Sequence, residues 1–422
     1  MNTHVTVVPA HVPSELVVPY DQLNGPEVMS FPPTAVRKAA QGRPVFYSSL
    51  YGGFWVITRY EDARTAYQDP QLFRQWSHGV PANPFTKQFK PLYLNPPDHG
   101  KWRKVLTPLF SPRQMARQED FLRTLAREQL AKMAPKGQTE FVEDFADVLP
   151  GRMFCFLLGL PRSRYAEFAQ MAHDLIFGPA SILRDGGTPE DAKAFRGKVN
   201  RQIDQLVESL IPERRKNPGD DIISILLEGE VDGEKLSDED IINMSTLLFF
   251  AGTDSSRAAM AYAFKYLSEH PAQRDEVVRR RGDPDFIKQA SEELLRFHGF
   301  HMSARECTRD AVFAGVQMKA GDIVLISTGA TNRDPEKFPR PDEVDLDRSN
   351  AASHLTFGAG PHRCIGSHLA TLQLRIALDE VHKVITDYRP DPVHAVRFVG
   401  GQGKVIPENL NLIFTACGAS AA

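Results

Sequence analysis

The chain has 422 residues, of which 42% are hydrophobic and 24% are charged, and its formal net charge is −3. This composition is ordinary for a globular protein and excludes a disordered or collagen-like chain. The charge gives no global basic surface for nucleic acid. We find no signal peptide and no uncharged apolar run of about 18 residues. We therefore predict a monomeric cytoplasmic protein without a nucleic-acid or membrane partner.

The four cysteines, Cys155, Cys307, Cys364 and Cys417, lie far apart in the sequence. Because no C-x-x-C pair occurs, a zinc ribbon or a dithiol redox site is excluded. Widely spaced cysteines in a chain without an export signal are typical of reduced thiols. Most such thiols behave as small buried hydrophobes, so a chemical role for any of them must come from its surroundings.

The first forty residues are Pro-rich and predict an irregular segment, and residues 44–58 predict a β-hairpin around a Gly-Gly turn. From 61 to 301 the pattern is mostly helical. Residues 76–97, rich in Pro, Phe and Asn, instead predict a long loop of the kind that is often functional. Apolar residues at helical spacing predict individual helices within 62–67, 114–133, 141–158, 162–177 and 191–215.

The clearest predicted helix spans 238–269. Ser237 can cap it, three acidic residues follow in the first turn, and His270-Pro271 ends it. Its middle, 245–252, is apolar on almost every side. A helix of this kind is buried, so we expect it to run through the centre of the protein.

Beyond residue 309 the pattern predicts short strands at 312–316 and 323–327, and a last helix over 367–388. The tail, 396–414, predicts a strand, a turn and a strand. The sequence thus predicts one domain, 1–422, that is mainly α with a minor β part.

One cysteine has distinctive surroundings. Cys364 lies within the glycine-rich stretch 357–366, directly before the last predicted helix. The helix N-terminus and the neighbouring His362 and Arg363 favour a thiolate, which is a soft ligand suited to iron. The pattern Phe-x-x-Gly-x-x-x-Cys-x-Gly resembles the heme-binding loop of the cytochrome P450 family.

The resemblance covers most of the chain, from about residue 45 to residue 414, and is strongest for soluble bacterial, terpenoid-oxidising members. It implies the cytochrome P450 fold, in which the long central helix crosses a b-type heme, iron protoporphyrin IX. It also implies that Cys364 is the iron ligand.

A second mark is the pair Glu293 and Arg296, which share one face of a helix. It resembles the family's Glu-x-x-Arg pair, which fixes the cysteine loop from within the core. The family's third member is an arginine, but Glu343 stands at the matching position here. Arg340 or Arg348 is then the candidate third member.

The third mark lies midway along the central helix, where Thr253, Asp254 and Ser255 interrupt apolar residues. Buried polar groups are costly without partners. From the residues alone, the hydroxyls can bond to carbonyls one turn back and the aspartate can pair with an arginine. The resemblance implies instead that Asp254 is the acid and Ser255 the alcohol of a proton relay to iron-bound oxygen, with Thr253 pointing elsewhere.

Four basic residues match the family's partners of the two heme propionates. His99 and Arg103 lie one helical turn apart, Arg305 follows the Glu-x-x-Arg pair, and His362 precedes the cysteine. Arginine is well suited to bidentate binding of a carboxylate. Without the resemblance, each of the four would be read as a surface cation.

The resemblance also implies a substrate pocket formed by the long loop, the central helix, the segment after the Glu-x-x-Arg pair and the C-terminal turn. Most of its candidate residues are apolar, as in most ligand pockets. His301 is the exception, and it either hydrogen-bonds a substrate carbonyl or carboxylate or is satisfied within the core. The candidates are Phe85, Phe89, Leu92, Leu248, Ala251, Phe300, His301 and Val399.

The implied reaction inserts one oxygen atom from O2 into a C–H bond of a small hydrophobic substrate, a terpenoid or a small aromatic compound. No nucleotide-binding G-x-G-x-x-G follows a strand. Electrons are therefore expected from a [2Fe-2S] ferredoxin and an NAD(P)H-dependent ferredoxin reductase, docking near Arg113 and Arg363. The alternatives are a peroxygenase that uses H2O2 and a non-catalytic heme sensor.

Overall fold

A computed structural model of the chain describes residues 6–80, 82, 87–401 and 403–415. Helices make up most of this part of the chain, which confirms the predicted mainly α class. The α-helices span Pro32–Ala40, Tyr60–Gln68, Asp98–Leu106, Pro112–Ala116, Glu119–Met133, Val148–Leu157, Tyr165–Arg184, Pro189–Lys216, Ile222–Glu228, Asp238–Glu269, Pro271–Arg280, Pro284–Phe297, Thr328–Thr331 and Ser367–Val384.

The strands form small sheets at the periphery of the helices. The largest sheet has six strands in the order Val17–Val18, Val45–Ser48, Phe54–Ile57, Ile323–Ser327, Met302–Cys307 and Phe73–Gln75. A second sheet orders Arg389–Pro390, Asn411–Ile413 and Gln138–Glu140. Two-stranded hairpins pair Glu230–Val231 with Glu234–Lys235, Ala311–Phe313 with Val316–Met318, and Phe398–Gly401 with Lys404–Pro407.

The central helix, Asp238–Glu269, has the predicted bounds. Ser237 caps it, and its side chain and that of Asp240 exchange hydrogen bonds with each other's backbone N–H. This capping box satisfies N–H groups that a helix start otherwise leaves unpaired. Most of the helix is buried, yet Ala251 is exposed in its middle. An accessible residue in a buried helix indicates that the helix borders an internal space.

Two further helices frame this space. The cysteine helix, Ser367–Val384, packs against the central helix and against Pro284–Phe297, which carries the Glu-x-x-Arg pair. The strand Met302–Cys307 follows the latter helix and lies between Ile323–Ser327 and Phe73–Gln75. These elements place the cysteine loop, the central helix and the strand bearing Arg305 around one region.

Several predicted elements differ from the structure. The N-terminal segment is not wholly irregular, because Pro32–Ala40 forms a helix that begins with two prolines, a residue type tolerated in the first turn. The predicted strand 312–316 is interrupted by a hairpin turn, since Ala314 and Gly315 adopt positive φ angles of 49° and 79° between the strands Ala311–Phe313 and Val316–Met318. The last helix ends at Val384, four residues before the predicted end.

Two predicted helices are divided. The segment 114–133 forms the helices Pro112–Ala116 and Glu119–Met133, and 141–158 begins with a π-helical turn, Val142–Ala146, before its α-helical part. Apolar spacing alone does not report such breaks, because the same face stays buried on both sides of them. Within the described residues, no helix is long and apolar enough to cross a membrane.

Candidate functional site

The cysteine loop, residues 357–366, is a compact turn that ends at the cysteine helix. The Cys364 N–H donates to the Phe357 carbonyl at 2.8 Å, which closes the loop. Gly358 and Gly360 have φ angles of 67° and 66°, a conformation that favours glycine. A Cβ on Gly360 would lie 2.2 Å from the Tyr67 carbonyl oxygen, so a larger residue does not fit. The glycines thus fix the position of Cys364.

Behind this loop lies a buried group of charges. The Glu293 carboxylate accepts from Arg296 Nε and Nη2 at 2.7 and 2.8 Å, and from Arg348 Nε at 3.0 Å. Arg348 is therefore the third member of the triad, whereas Arg340 is exposed and pairs with Glu343. The arginine lies five residues beyond the position expected from the sequence pattern.

The triad is connected to the cysteine loop through backbone and amide contacts. Arg296 Nη1 donates to the Asn332 carbonyl at 2.8 Å. The Asn332 side chain accepts from the Leu355 N–H at 2.7 Å and donates to Thr356 Oγ1 at 2.8 Å. These contacts hold the residues that directly precede the loop, so the triad positions Cys364 without touching it.

The Cys364 side chain is accessible, in contrast to the buried thiols of Cys155 and Cys307. Cys417 lies outside the described residues. The Cys364 sulfur borders an open space, but the protein atoms that enclose this space limit its hydration and raise the pKa of the thiol, and the Gly366 N–H and the charges of Arg103 and Arg363 only partly oppose that rise. These surroundings favour the thiol over the thiolate, whereas a bound metal ion deprotonates a coordinating thiol outright.

The four predicted propionate partners do come together. The rings of His99 and His362 lie 4.0 Å apart between centroids. Burial, followed by the charges of His99, Arg305 and Arg103, lowers the pKa of His362 to about 3. Burial and then Arg103 lower the pKa of His99 to about 4. The structure thus brings four basic side chains from three separate segments into one cluster.

This basic cluster lacks a negative partner. Among the described residues, none of the four forms an ion pair, and His362 Nε2 is buried without a hydrogen-bond partner. Among the described residues, the Arg305 guanidinium donates to the adjacent Ala304 carbonyl and that of Arg103 to the Arg363 carbonyl. Arg305 is 4% exposed, and a buried positive charge without compensation is costly. The two carboxylates of a heme would supply the missing charge, so the residues present fit that group.

Asp254 is buried and tied to two cations. Its carboxylate accepts from Arg257 Nη2 at 3.0 Å and contacts Lys404 Nζ. Burial alone would raise the pKa of Asp254, but Lys404 and Arg257 together hold it below its usual range. The Asp254 carboxylate is therefore ionised near neutral pH. It pairs with an arginine, which is the arrangement that the sequence allowed without the family resemblance.

The neighbouring hydroxyls face different ways. Thr253 is buried and donates to the Phe249 carbonyl at 3.0 Å, so it points elsewhere, as predicted. Ser255 is partly accessible, and its hydroxyl lies 3.4 Å from the exposed Ala251 carbonyl. This weak bond leaves the Ser255 hydroxyl free to rotate toward the space beside Ala251.

The predicted pocket residues divide into two groups. Phe89, Leu92, His301 and Val399 are half-buried, and Ala251 is exposed. The remaining described candidates, Leu248 and Phe300, keep only 5% and 8% of their surface accessible. Phe300 stacks on Tyr262 with 5.6 Å between ring centroids. Leu248 and Phe300 therefore lie behind the residues that line the pocket. Phe85 lies outside the described residues.

Two side chains near the pocket were missed by the sequence reasoning. Phe250 is half-buried beside Ala251 and stacks on Phe89, with centroids 6.4 Å apart and planes 13° apart. Lys404, on the C-terminal hairpin, lies with Nζ 5.5 Å from the Phe250 ring centroid and forms a backbone bridge to His301. The sequence could have indicated Phe250, because this residue directly precedes Ala251, whereas no local pattern marks Lys404.

The loop above the pocket is tied down by a latch segment, residues 87–90. Lys87 Nζ contacts the Asp204 carboxylate at 2.7 Å, and Lys90 Nζ contacts Asp240 at 2.8 Å. Asn243 accepts from the Lys90 N–H and donates to the Gln88 carbonyl. The segment is therefore fastened to the helix Pro189–Lys216 and to the central helix by partly exposed ion pairs.

Comparisons with known proteins agree with this geometry. A family model described as Cytochrome P450 matches residues 166–382. The chain is 32% identical over 335 residues to the vitamin D(3) 25-hydroxylase of Pseudonocardia autotrophica, covering 78% of this chain and 79% of that protein. It is 32% identical over 348 residues to the methyl-branched lipid omega-hydroxylase of Mycobacterium tuberculosis, covering 79% and 78%.

The similarity extends to solved structures. The crystal structure of CYP101J2 superposes with a TM-score of 0.83 at 28% identity, covering 97% of this chain and 99% of that chain. The predicted family and fold are thereby confirmed. The chain belongs to the cytochrome P450 family, a family of monooxygenases and hydroxylases that bind heme b through a cysteine thiolate.

Proposed function

We propose that the chain is a heme-thiolate monooxygenase that inserts one oxygen atom from O2 into a C–H bond of a small hydrophobic substrate. The observation that carries this proposal is the cluster of buried His99 and Arg305 with half-buried Arg103 and His362, which has no ion-pair partner among the described residues and lies beside Cys364. In the proposed site, Cys364 would ligate the heme iron and the cluster would bind the propionates.

When bound, the heme supplies the activation of dioxygen, and the protein supplies the ligand, the proton path and the pocket. Asp254 holds a negative charge next to Ser255, whose hydroxyl can carry a proton toward the space beside Ala251. The apolar lining excludes bulk water from that space. Phe89, stacked on Phe250, places an aromatic surface over the substrate.

We infer that the substrate is apolar with one hydrogen-bonding oxygen, and a terpenoid alcohol or ketone has this chemistry. Burial, then Lys404 and Arg305, lower the pKa of His301 to about 4, so its imidazole is neutral at pH 7. A neutral imidazole suits a carbonyl or hydroxyl better than a carboxylate. The two named relatives act on vitamin D(3) and on a methyl-branched lipid, which are also apolar.

Electrons are proposed to come from a [2Fe-2S] ferredoxin with its NAD(P)H-dependent reductase. Arg113 and Arg363 are both exposed. Arg113 lies on the helix Pro112–Ala116, which packs against the cysteine helix that Arg363 precedes. Two cations on this side of the cysteine offer an attractive surface to an acidic protein.

The test is turnover of the heme-loaded protein with ferredoxin, reductase, NAD(P)H and 18O2. A panel of terpenoids and small aromatic compounds is first screened for displacement of the water on iron. The proposal predicts a product that carries one 18O atom. Product with H2O2 alone, and none with the electron partners, would establish the peroxygenase. Absence of product from every binding compound under both conditions would favour the heme sensor.

A further inference from the structure

One buried guanidinium is shared by two carboxylates. Arg257, on the central helix one turn beyond Asp254, is fully buried. Its Nη2 donates to Asp254 Oδ1 at 3.0 Å, and its Nε lies 3.2 Å from Asp147 Oδ1. Nη1 donates to the Pro407 carbonyl, and the guanidinium carbon lies 4.4 Å from the Phe177 ring centroid. Because these contacts hold the guanidinium on several sides, Arg257 cannot move with one carboxylate away from the other.

The two carboxylates hold Arg257 unequally. The contact with Asp254 is an aligned hydrogen bond, whereas Arg257 Nε–H has no aligned acceptor among the described residues, so Asp147 attracts it mainly as a charge. A charge at 3.2 Å in a buried setting still competes strongly for the same cation. The charge on Asp147 therefore affects how firmly Arg257 holds Asp254.

Asp147 also lies where protons can reach it. It directly follows the π-helical turn Val142–Ala146, and its N–H donates to the Val142 carbonyl five residues back at 2.8 Å. Such turns occur frequently at functional sites. One third of the Asp147 side-chain surface is accessible, against 3% for Asp254. A line of charges thus runs from the surface through Arg257 to Asp254 and Lys404.

The charged groups around Asp147 come from three elements. Arg257 and Asp254 face it from the central helix, Glu140 from the strand Gln138–Glu140, and Glu143 from its own turn. Although a third of its side chain is accessible, the protein atoms packed around the Asp147 carboxyl limit its hydration and raise its pKa to about 6; Arg257 opposes the rise, and the three carboxylates add to it. Asp147 therefore changes charge close to neutral pH, while Asp254 stays ionised.

We propose that Asp147 is a positioning residue for the proton relay: ionised, it shares Arg257 with Asp254, and protonated, it leaves Arg257 to Asp254 alone. This inference rests on the proposed role of Asp254. A carboxylate held more tightly by a cation is a weaker proton acceptor. Protonation of Asp147 therefore slows proton delivery, and turnover falls as the pH drops through about 6.

The test compares the heme-loaded Asp147→Asn variant with the wild type. The amide mimics the protonated carboxyl, so kcat at pH 7.5 should fall by about tenfold, the factor for one pKa unit at Asp254. The inflection of kcat near pH 6 should disappear, while substrate binding stays unchanged. Glu143→Gln is the matched control, because Glu143 is exposed on the same turn and, among the described residues, forms neither a hydrogen bond nor an ion pair with Arg257; it should keep the inflection.

Infrared titration provides a second readout that does not depend on turnover. A protonated carboxyl band should appear as the pH falls through about 6 in the wild type and in Glu143→Gln, but not in Asp147→Asn. A wild-type inflection or an unchanged band in Asp147→Asn would overturn the inference. Failure of the relay itself is recognised separately, because Asp254→Asn would then turn over like the wild type.

Discussion

The two sides of the candidate heme site are held by ion pairs of opposite character. On the cysteine side, Glu293 and Arg296 are fully buried and Arg348 is 5% exposed. On the substrate side, the latch pair Lys87 and Asp204 keeps about a third of each side chain accessible. The same chemical pairing is therefore used once inside the core and once at the surface.

This difference in burial indicates which side of the candidate heme site can move. Removing one partner of a buried ion pair leaves an uncompensated charge and costs about 3–5 kcal/mol, whereas an exposed pair contributes about 0–1 kcal/mol. The cysteine side is thus held by the contacts that cost more to break. The latch segment can open at little cost, which suits a loop that must admit a substrate.

The largest expected effect comes from breaking the triad. Arg348→Met leaves the Glu293 carboxylate short of one partner, so the free energy of unfolding should fall by about 3–5 kcal/mol, with loss of bound heme. Urea unfolding and heme absorbance measure both. Arg340→Met is the matched control, because Arg340 is 64% exposed and borders the same loop; its cost should stay within about 0.5 kcal/mol.

If Arg340→Met destabilised the protein as much as Arg348→Met, the assignment of Arg348 as the third triad member would be wrong. Equal and small effects would show that the buried triad is no firmer than the surface latch, which would remove the contrast between the two sides.

Acid should weaken the cysteine side next most strongly. Burial lowers the pKa of His298 to about 3 and that of His382 to about 4, below the value of about 6.5 in an unfolded chain. Below pH 6.5 the unfolded chain binds protons that the folded chain excludes. Stability is therefore complete above pH 6.5 and is lost as the pH falls toward the folded pKa values.

From pH 7 to pH 5 each histidine should remove about 2 kcal/mol of unfolding free energy. Urea midpoints at the two pH values measure the loss, and His382→Gln should lessen it by the share of one histidine. An identical pH dependence in His382→Gln would contradict the buried neutral state of His382.

The smallest change in stability is expected at the latch. Lys87→Met should alter the free energy of unfolding by less than about 1 kcal/mol, yet increase the rate at which bound substrate leaves, because one tie to Asp204 is lost. Stopped-flow spectroscopy of substrate release measures this rate. Raising the salt concentration to 1 M, where the Debye length shrinks to about 3 Å, should mimic the variant in the wild type.

The control is Lys235→Met, which removes a more exposed surface pair with Glu228, 54% and 77% accessible, at the hairpin Glu230–Val231/Glu234–Lys235. Its substrate release should match the wild type. If substrate leaves Lys87→Met no faster than it leaves the wild type, and the rate depends on salt to the same extent, the latch segment does not control access.

Local signals explain what could be predicted from the sequence. The bounds of the central helix followed from Ser237 and from His270-Pro271, because caps and prolines act on adjacent residues. The grouping of the propionate candidates came from the resemblance to a family, since His99 and Arg305 are separated by some two hundred residues. The structure brings them together, but their role at a heme stays a proposal.

Long-range contacts explain what could not be predicted. Lys404 meets Asp254 across 150 residues, and Asp147 meets Arg257 across 110. Such pairings depend on how helices pack, which no periodicity in one segment reports. The sequence could not decide whether Arg340 or Arg348 is the third member of the triad, because both are arginines on one irregular segment. Only their burial distinguishes them.

The most direct test of the central proposal is the absorption spectrum of the reduced carbon monoxide complex. The wild type should show the thiolate-type band, and Cys364→Ser should lose it. Cys307→Ser is the control, because a hydroxyl there can keep the bond to the Arg309 carbonyl; it should retain the band. An unchanged band in Cys364→Ser would contradict the assignment of Cys364 as the iron ligand.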